Sequence, residues 1–388
     1  MKAKRKTVLG LTGIRSEYYL QKSVFRAIQA HPALRLELVV TGAHLSPLHG
    51  GTVEEIARDG FPIAEKIESL LWSDRDAARL KGAAAQLQVL AHVVDRLRPD
   101  WILAPADREE ALTAAACGAY MNIPVAHLCA GDRVVGNVDD VVRQAVSRLS
   151  HLLLTTHEEA RRRLIRSGEQ PFRVHNVGHP GLDRFASTEK MEWPALSKAL
   201  GLDGAEPPYL VVLQHPISSE IAAAPAQMEE TLKAVKRLGL PTVVIHPNSD
   251  PGSRAMVEVI ERYRGRIGSL AVTPTLPDAL FVNLLRGAFA LIGNSSLGFL
   301  EAPYLRLPVV HVGNRQKNRR HSGNVAFLPH RAEAIAALIA RWRDRPAERA
   351  RLVRCDNPFG NGRTGEAVAR LLARTEATSA FLKKDMTY

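Results

Sequence analysis

The chain has 388 residues, 46% hydrophobic and 24% charged, a composition that fits a soluble globular protein long enough for two domains with large cores. Its net charge is +12, from 52 basic and 40 acidic side chains, which suits polyanionic ligands. Two classes are excluded: a nucleic-acid platform, because the arginines are scattered and aromatics are only 5%, and a disulfide framework or CxxC metal site, because the three cysteines (Cys117, Cys129, Cys355) are far apart.

From the N-terminus, TVLGLT (7–12) reads as a first buried strand; the apolar run around it is too short for a membrane span. The helix-like YYLQKSVFRAIQAH follows, then the strand LELVVTG (36–42) and the helix-like AAAQLQVLAHVVDRL. WILAPA (101–106), PVAHLC (124–129), HLLLTT (151–156) and RVHNVG (173–178) continue the strand series. Short apolar runs alternating with longer amphipathic ones give the rhythm of a parallel sheet covered on both faces. The rhythm pauses over the Pro- and Gly-rich stretch 179–208. It restarts with YLVVLQHP (209–216), PTVVIHP (241–247), LAVTP (270–274), FALIGN (289–294) and LPVVHVG (307–313). The pattern predicts two doubly wound α/β domains, at 1–185 and 186–365, then a C-terminal helix and tail at 366–388. The helix TGEAVARLLARTEA is free to pack on either half, and residues 378–388 read as a loosely held tail.

In open parallel sheets, ligands bind beyond the carboxyl ends of the strands, so those loops carry the candidate chemistry. Gly13 after the first strand lets a ligand approach the backbone, and Arg15 suits a phosphate; without a complete GxGxxG, a nicotinamide site is not indicated. Asp107-Arg108-Glu109-Glu110, then Asp132, then Asp139, Asp140 and Arg143 follow successive strands. Acids on one sheet edge can converge and split proton-donor and proton-acceptor roles, although Asp107 and Asp139 also sit where helix N-caps are expected. In the second half His215 and the loop His246-Pro247-Asn248 end strands. Gly293-Asn294-Ser295-Ser296-Leu297-Gly298 then opens a helix whose first amides and serine hydroxyls suit a phosphate, with Glu301 a turn further on for the hydroxyls of a ribose. Serines cap helices without a ligand as well.

Taken together these stretches resemble the UDP-N-acetylglucosamine 2-epimerases, in particular the hydrolysing branch of sialic- and legionaminic-acid-type pathways. The resemblance spans roughly residues 7–370 and rests on TGIRSEYY, VTGAHLSP, ADREE, NIPVAHLCAGD, VDDVVRQAVSRLSH, NVGHPGLD, QHP, PNSDPGS, IGNSSLGFLEAP, GNRQKNRR and NPFGNGRTGE, in that order. It implies a GT-B-like pair of Rossmann-like domains around a central cleft. It also implies a homo-oligomer, dimer or tetramer, with a nucleotide sugar as partner and no metal or cofactor; the three scattered cysteines point to a reduced, cytoplasmic setting, and composition and run lengths to no nucleic acid and no membrane.

By resemblance, Ser295, Ser296 and Gly298 hold a diphosphate, Glu301 the ribose, and Arg15 and His215 reach the diphosphate; Asn248 and Arg143 join the substrate positions, with Arg143 alternatively structural, holding the acids, and Arg315 and Gln316 close near the base. The implied reaction eliminates the nucleotide to leave a 2-acetamidoglucal, then adds water with inversion at C2. Asp107 and Asp132 move protons, Asp139 or Asp140 assists, and His215 helps the leaving group.

Four departures stand out. The family's GDR is ADR. A catalytic acid position is Cys129, which reads as packing, and the next acid is shortened to Asp132. A lysine often found after the first-loop arginine is Leu20, with Lys22 nearby as a replacement. Finally, Asp278 stands where relatives often stack a Phe on uracil; an acid accepts instead from guanine, which points to a GDP-linked substrate. The competing readings are a non-catalytic sugar-nucleotide-binding protein, a non-hydrolysing 2-epimerase and a GT-B glycosyltransferase.

Overall fold

Strands buried on both faces need continuous β-branched and aliphatic runs, and the apolar segments supply them. The computed structural model describes residues 4–47, 51–71, 73, 76–133, 138–202, 204–247, 252–317 and 320–387. Strands β1 (Lys6–Thr12), β2 (Leu34–Thr41), β3 (Ile63–Ile67), β4 (Trp101–Ala104), β5 (Val125–Leu128), β6 (Leu152–Thr155) and β7 (Val174–Asn176) form one sheet, in the order β3-β2-β1-β4-β5-β6-β7. Strands β8 (Leu210–Leu213), β9 (Thr242–Ile245), β10 (Leu270–Thr273), β11 (Ala290–Gly293), β12 (Val309–Val312) and β13 (Val325–Leu328) form a second, in the order β10-β9-β8-β11-β12-β13. Every pairing within the two sheets is parallel.

The inner strands are buried along most or all of their length, as the sequence predicts. Strands β3 and β13 are additions to the predicted set. Both are outer strands: IAEKI carries two charged residues, and VAFL, though apolar, is only four residues long and partly exposed.

The chain forms two units: residues 1–186 with 359–388, and residues 187–358. The boundary expected at 365 therefore falls at 358/359. The physical reason is the helix Thr364–Arg374, which packs on the helix Arg15–Ala30 of the first unit. Its first amides, Thr364 N and Gly365 N, donate to the two oxygens of Asp183 at 2.9 and 2.7 Å, so a carboxylate from the same unit caps it.

The tail is not loose. The Phe381 ring lies 5.9 Å from Trp101, and the Arg173 guanidinium lies 4.8 Å from it. Lys384 Nζ donates to the carbonyls of Ser147, Arg148 and Ser150 at 2.8–2.9 Å, the end of the helix Val138–Leu149, and pairs with buried Glu169 at 2.8 Å. A lysine here satisfies the open carbonyls of a helix C-terminus and its negative dipole end. Among the described residues, no helix is long and apolar enough to cross a membrane.

Candidate active site

In each sheet the strand order reverses at one point, between β1 and β4 in the first and between β8 and β11 in the second. The connections on either side run in opposite directions there, which opens a crevice at the strand ends where ligands of such folds sit. Several of the expected residues flank these points.

In the first unit, Asp107 follows β4 and Asp132 follows β5. Arg143, from the helix Val138–Leu149, joins them. Its Nη2 pairs with Asp107, and its Nη1 lies 3.6 Å from Asp132 Oδ2 and 3.5 Å from the Cys129 carbonyl. The Arg143 side chain is 6% exposed, against 18% for Asp107 and 12% for Asp132, so a buried cation holds two acids that still reach solvent.

Two residues not anticipated from the sequence complete this group. Thr156 Oγ1 donates to Asp132 Oδ2 at 3.4 Å, and His157 Nδ1 lies 3.8 Å from Asp132 Oδ1 and 2.9 Å from Thr156 Oγ1. Both follow β6, so the strand-end rule applied to HLLLTTH would have found them.

The turn that presents Asp107 is held from below. Ala106 has φ +27°, and its carbonyl accepts a 2.6 Å bond from His127 Nε2, while His127 Nδ1 lies 3.0 Å from Ser147 Oγ. Burial pushes the His127 pKa down to about 4, so the ring is neutral. Cys129 is buried in the core with φ +59°, a left-handed conformation that turns its carbonyl toward Arg143.

The other acids have partners of their own. Asp139 lies 3.7 Å from Arg79 Nη2, which also pairs with Glu109 at 2.7 Å, and Asp140 accepts from Gln144 Nε2 at 3.3 Å. Arg108 sits 3.0 Å from Glu109 and 3.4 Å from buried Glu110. Gly13 N donates to Glu17 Oε2 at 3.2 Å, and a Cβ on Gly13 would meet Glu110 Oε1 at 1.7 Å, so Gly13 makes room for that carboxylate. Burial, and then Glu110, hold the Glu17 pKa well above the usual range; burial likewise raises Glu110. Arg143 thus gathers Asp107 and Asp132, while Asp139 lies against Arg79 and Asp140 against Gln144. Lys22, expected as a phosphate ligand, is committed elsewhere: it pairs with Asp59 at 2.6 Å, and Asp59 also accepts from Tyr18. Arg15 is exposed at the first turn of its helix.

In the second unit, Asn294 bridges the two strands that flank the reversal. Its Oδ1 accepts from His215 N at 2.7 Å, and its Nδ2 donates to His215 O at 2.8 Å. Gly293 precedes it at φ +144°, pressed so close to β8 that a Cβ would lie 2.0 Å from the Leu213 carbonyl. Arg315 Nη1 donates to the Asn294 carbonyl at 3.3 Å, which brings the loop after β12 alongside; Gln316 in that loop is buried.

The helix expected after Ser296 is a single turn, Leu297–Leu300. Ser295 Oγ accepts from Leu297 N at 3.4 Å, and Gly298 N and Phe299 N donate to the carbonyls of Ser295 and Ser296. The first amides are therefore largely engaged by the chain itself, and a one-turn dipole is small, which corrects the expectation of a row of open helix amides. Gly298 has a packing reason: a Cβ there would meet Val309 Cγ1 at 2.9 Å. Glu301 is half-buried directly after the turn. Asp278 heads the helix Asp278–Gly287 beyond the outer strand β10. Asn248 lies outside the described residues.

Residues 26–373 match the family described as UDP-N-acetylglucosamine 2-epimerase. The chain is 31% identical, over 98% of its length and 99% of the relative's, to UDP-N,N'-diacetylbacillosamine 2-epimerase (hydrolyzing) of Legionella pneumophila. It is 30% identical to GDP/UDP-N,N'-diacetylbacillosamine 2-epimerase (hydrolyzing) of Campylobacter jejuni, over 83% of this chain and 84% of that one. The solved structure of UDP-GlcNAc 2-epimerase from Neisseria meningitidis bound to UDP-GlcNAc superposes with a TM-score of 0.73 at 17% identity, covering 95% of this chain and 100% of that one; this shows the shared GT-B-like fold. With two parallel strand-order reversals, the shared architecture and a match across nearly its whole length, this chain belongs to the UDP-N-acetylglucosamine 2-epimerase family.

Proposed function

We propose that the chain is a hydrolysing nucleotide-sugar 2-epimerase. It takes a UDP- or GDP-linked N-acetylglucosamine-type sugar and releases a free N-acetylmannosamine-type sugar and the nucleoside diphosphate. In the first half-reaction the C1–O bond to the diphosphate breaks and C2 loses its proton, giving a 2-acetamidoglucal. In the second, water oxygen bonds to C1 and a proton reaches C2 from the opposite face. The observation that carries this reading is the pair of partly accessible acids, Asp107 and Asp132, held on one buried cation, Arg143. Fixed carboxylates are what proton transfer at C2 and water activation at C1 require.

Asp107 and Asp132 move the protons, with Thr156 and His157 orienting Asp132; Asp139 and Asp140 assist from their own contacts. In the second unit, His215, Ser295, Ser296, Gly298 and Arg315 take the diphosphate; in the first unit, Arg15 is a phosphate-binding position. Glu301 takes the ribose hydroxyls, and Gln316 and Asn248 complete the nucleotide site. Asp278 accepts from guanine, so a guanine preference that survives Asp278→Ala would remove that role. The names of the Legionella and Campylobacter relatives support the hydrolytic outcome and extend the sugar to a diacetylated, bacillosamine-type one. A free mannosamine-type product fits a supply route to sialic- or legionaminic-type acids, and the lack of a disulfide among the three cysteines fits the reducing cytoplasm. A homo-oligomer is supported by Leu80, Tyr120 and Val141, 73%, 91% and 67% exposed on helices packed side by side, and sedimentation would test it.

The test is product analysis by proton NMR in heavy water with UDP- and GDP-linked N-acetylglucosamine and N,N'-diacetylbacillosamine. Free sugar inverted at C2 and deuterated there is expected. Nucleotide sugar returned with inverted C2 would make the enzyme non-hydrolysing. The second reading, a binding protein, draws on Cys129 standing buried at an acid position; tight binding with no product from any donor would favour it.

A further inference from the structure

In the first unit a recess of about 530 Å³ opens against the outer strand β7, walled by residues of the helices Glu158–Arg166 and Thr364–Arg374. That volume is in the range of small-molecule sites. Its lining carries three arginines, Arg161, Arg370 and Arg374, with His175 and Asn176, against one carboxylate, Glu158. Glu158 is already answered within its own helix, 3.1 Å from Arg161 Nη1 and 3.4 Å from Arg162 Nε. The recess is therefore positive overall.

The cations are arranged rather than scattered. Arg370 and Arg374 are four residues apart on one helix, which puts both exposed side chains on the same face. Arg161 is steadied by donation from its Nε to the Val174 carbonyl of β7 at 3.2 Å. His175 Nε2 lies 3.0 Å from the Phe172 carbonyl and so carries the ring's proton toward it. Burial, and then the charges of Arg374 and Arg161, push the His175 pKa down, so the ring adds no charge of its own near neutrality. None of these residues has a part in the proposed reaction.

The helix that brings Glu158 and Arg161 to the recess also holds the Asp132 loop. Arg163 donates to the Gly131 carbonyl, and a Cβ on Gly131 would meet Leu164 Cγ at 2.7 Å. His157, the cap residue of the same helix, lies 3.8 Å from Asp132. We propose that this recess is a binding site for a small polyanion, a metabolite carrying two or more phosphate or carboxylate groups, and that its occupancy is felt at Asp132 through the helix Glu158–Arg166. Guanidinium groups recognise both oxyanions by the same forked geometry. The site stands independently of the proposed activity; only its effect on turnover rests on that activity.

The experiment is calorimetric titration of the full chain with pyrophosphate and, separately, citrate, each with UDP saturating the proposed nucleotide site. One residual binding event is expected, weakened about tenfold or more in the double variant Arg370→Gln/Arg374→Gln. The tighter probe assigns phosphate or carboxylate chemistry. Because both arginines are exposed, the variant should keep the wild-type thermal midpoint, which separates lost binding from lost fold. Failure of both probes to bind, or binding unchanged in the double variant, would overturn the site. A kcat at saturating substrate that the bound probe leaves unchanged would overturn the coupling, whereas displacement of the probe by UDP would assign it to the nucleotide site instead.

Discussion

The strand-end loops of the two units are organised by different forces. In the first, side-chain ion pairs set the geometry: Arg143 holds Asp107 and Asp132, and Arg108 and Arg79 hold Glu109, Glu110 and Asp139. In the second, neutral amides and backbone set it: Asn294 ties both backbone groups of His215 across the strand reversal, and Arg315 donates to the Asn294 carbonyl. The difference follows from what each loop set is proposed to handle. Proton transfer needs carboxylates held at fixed positions, and Arg143 fixes two of them by ion pairing. A diphosphate needs donors, and a loop of small residues keeps carboxylates at a distance.

The predictions act on this contrast, from the largest effect to the smallest. Asp132→Asn keeps the shape of the first-unit group and removes its charge. Nucleoside diphosphate release should fall by about 10²–10⁴-fold with the circular dichroism spectrum unchanged, and a loss of only a few-fold would break the assignment of chemistry to the first unit. Lys384→Ala removes the cation that closes the helix of Arg143 and leaves buried Glu169 to Arg148 alone. Urea unfolding should show a loss of about 2 kcal/mol, whereas an unchanged midpoint would mean the tail is an ornament. Asn294→Ala opens the second-unit clamp at His215; about 1 kcal/mol of stability is expected to go per lost bond, with nucleotide binding weakened roughly tenfold in titration.

The smallest effect is a pH dependence at the buried carboxylates. The folded pKa of Glu17 is raised by burial, and then by Glu110, above its ordinary 4.5. The folded chain thus keeps a proton that the unfolded chain releases. The stability contribution is complete below about 4.5 and declines as pH rises through the raised folded value. Glu17→Gln should flatten that decline between pH 5 and 8 in denaturant midpoints; an identical slope in the variant would mean that another group carries it.

Much of this was legible in the sequence because strands buried in a parallel sheet are apolar: the predicted strands match β1, β2, β4 through β9, β11 and β12, and also the outer strand β10. The outer strand β3 escaped because charged residues break its apolar run, and β13 because its four apolar residues are too short a run to stand out. Asp107, Asp132 and Arg143 were legible from their places after strands or on the following helix. That Arg143 holds acids was legible too, but that it holds Asp107 and Asp132 while Asp139 lies against Arg79 was not, because the phase of the helix Val138–Leu149 decides it. Lys22 and the tail were misread for a common reason: each finds a distant carboxylate, Asp59 and Glu169, and sequence spacing says nothing about such partners.

The division of labour is tested most directly by titrating the same nucleoside diphosphate into Asp107→Asn and Arg315→Ala. Binding should match wild type in the first and weaken about tenfold in the second, since only Arg315 is assigned to the anion. Binding lost in Asp107→Asn and kept in Arg315→Ala would contradict the account.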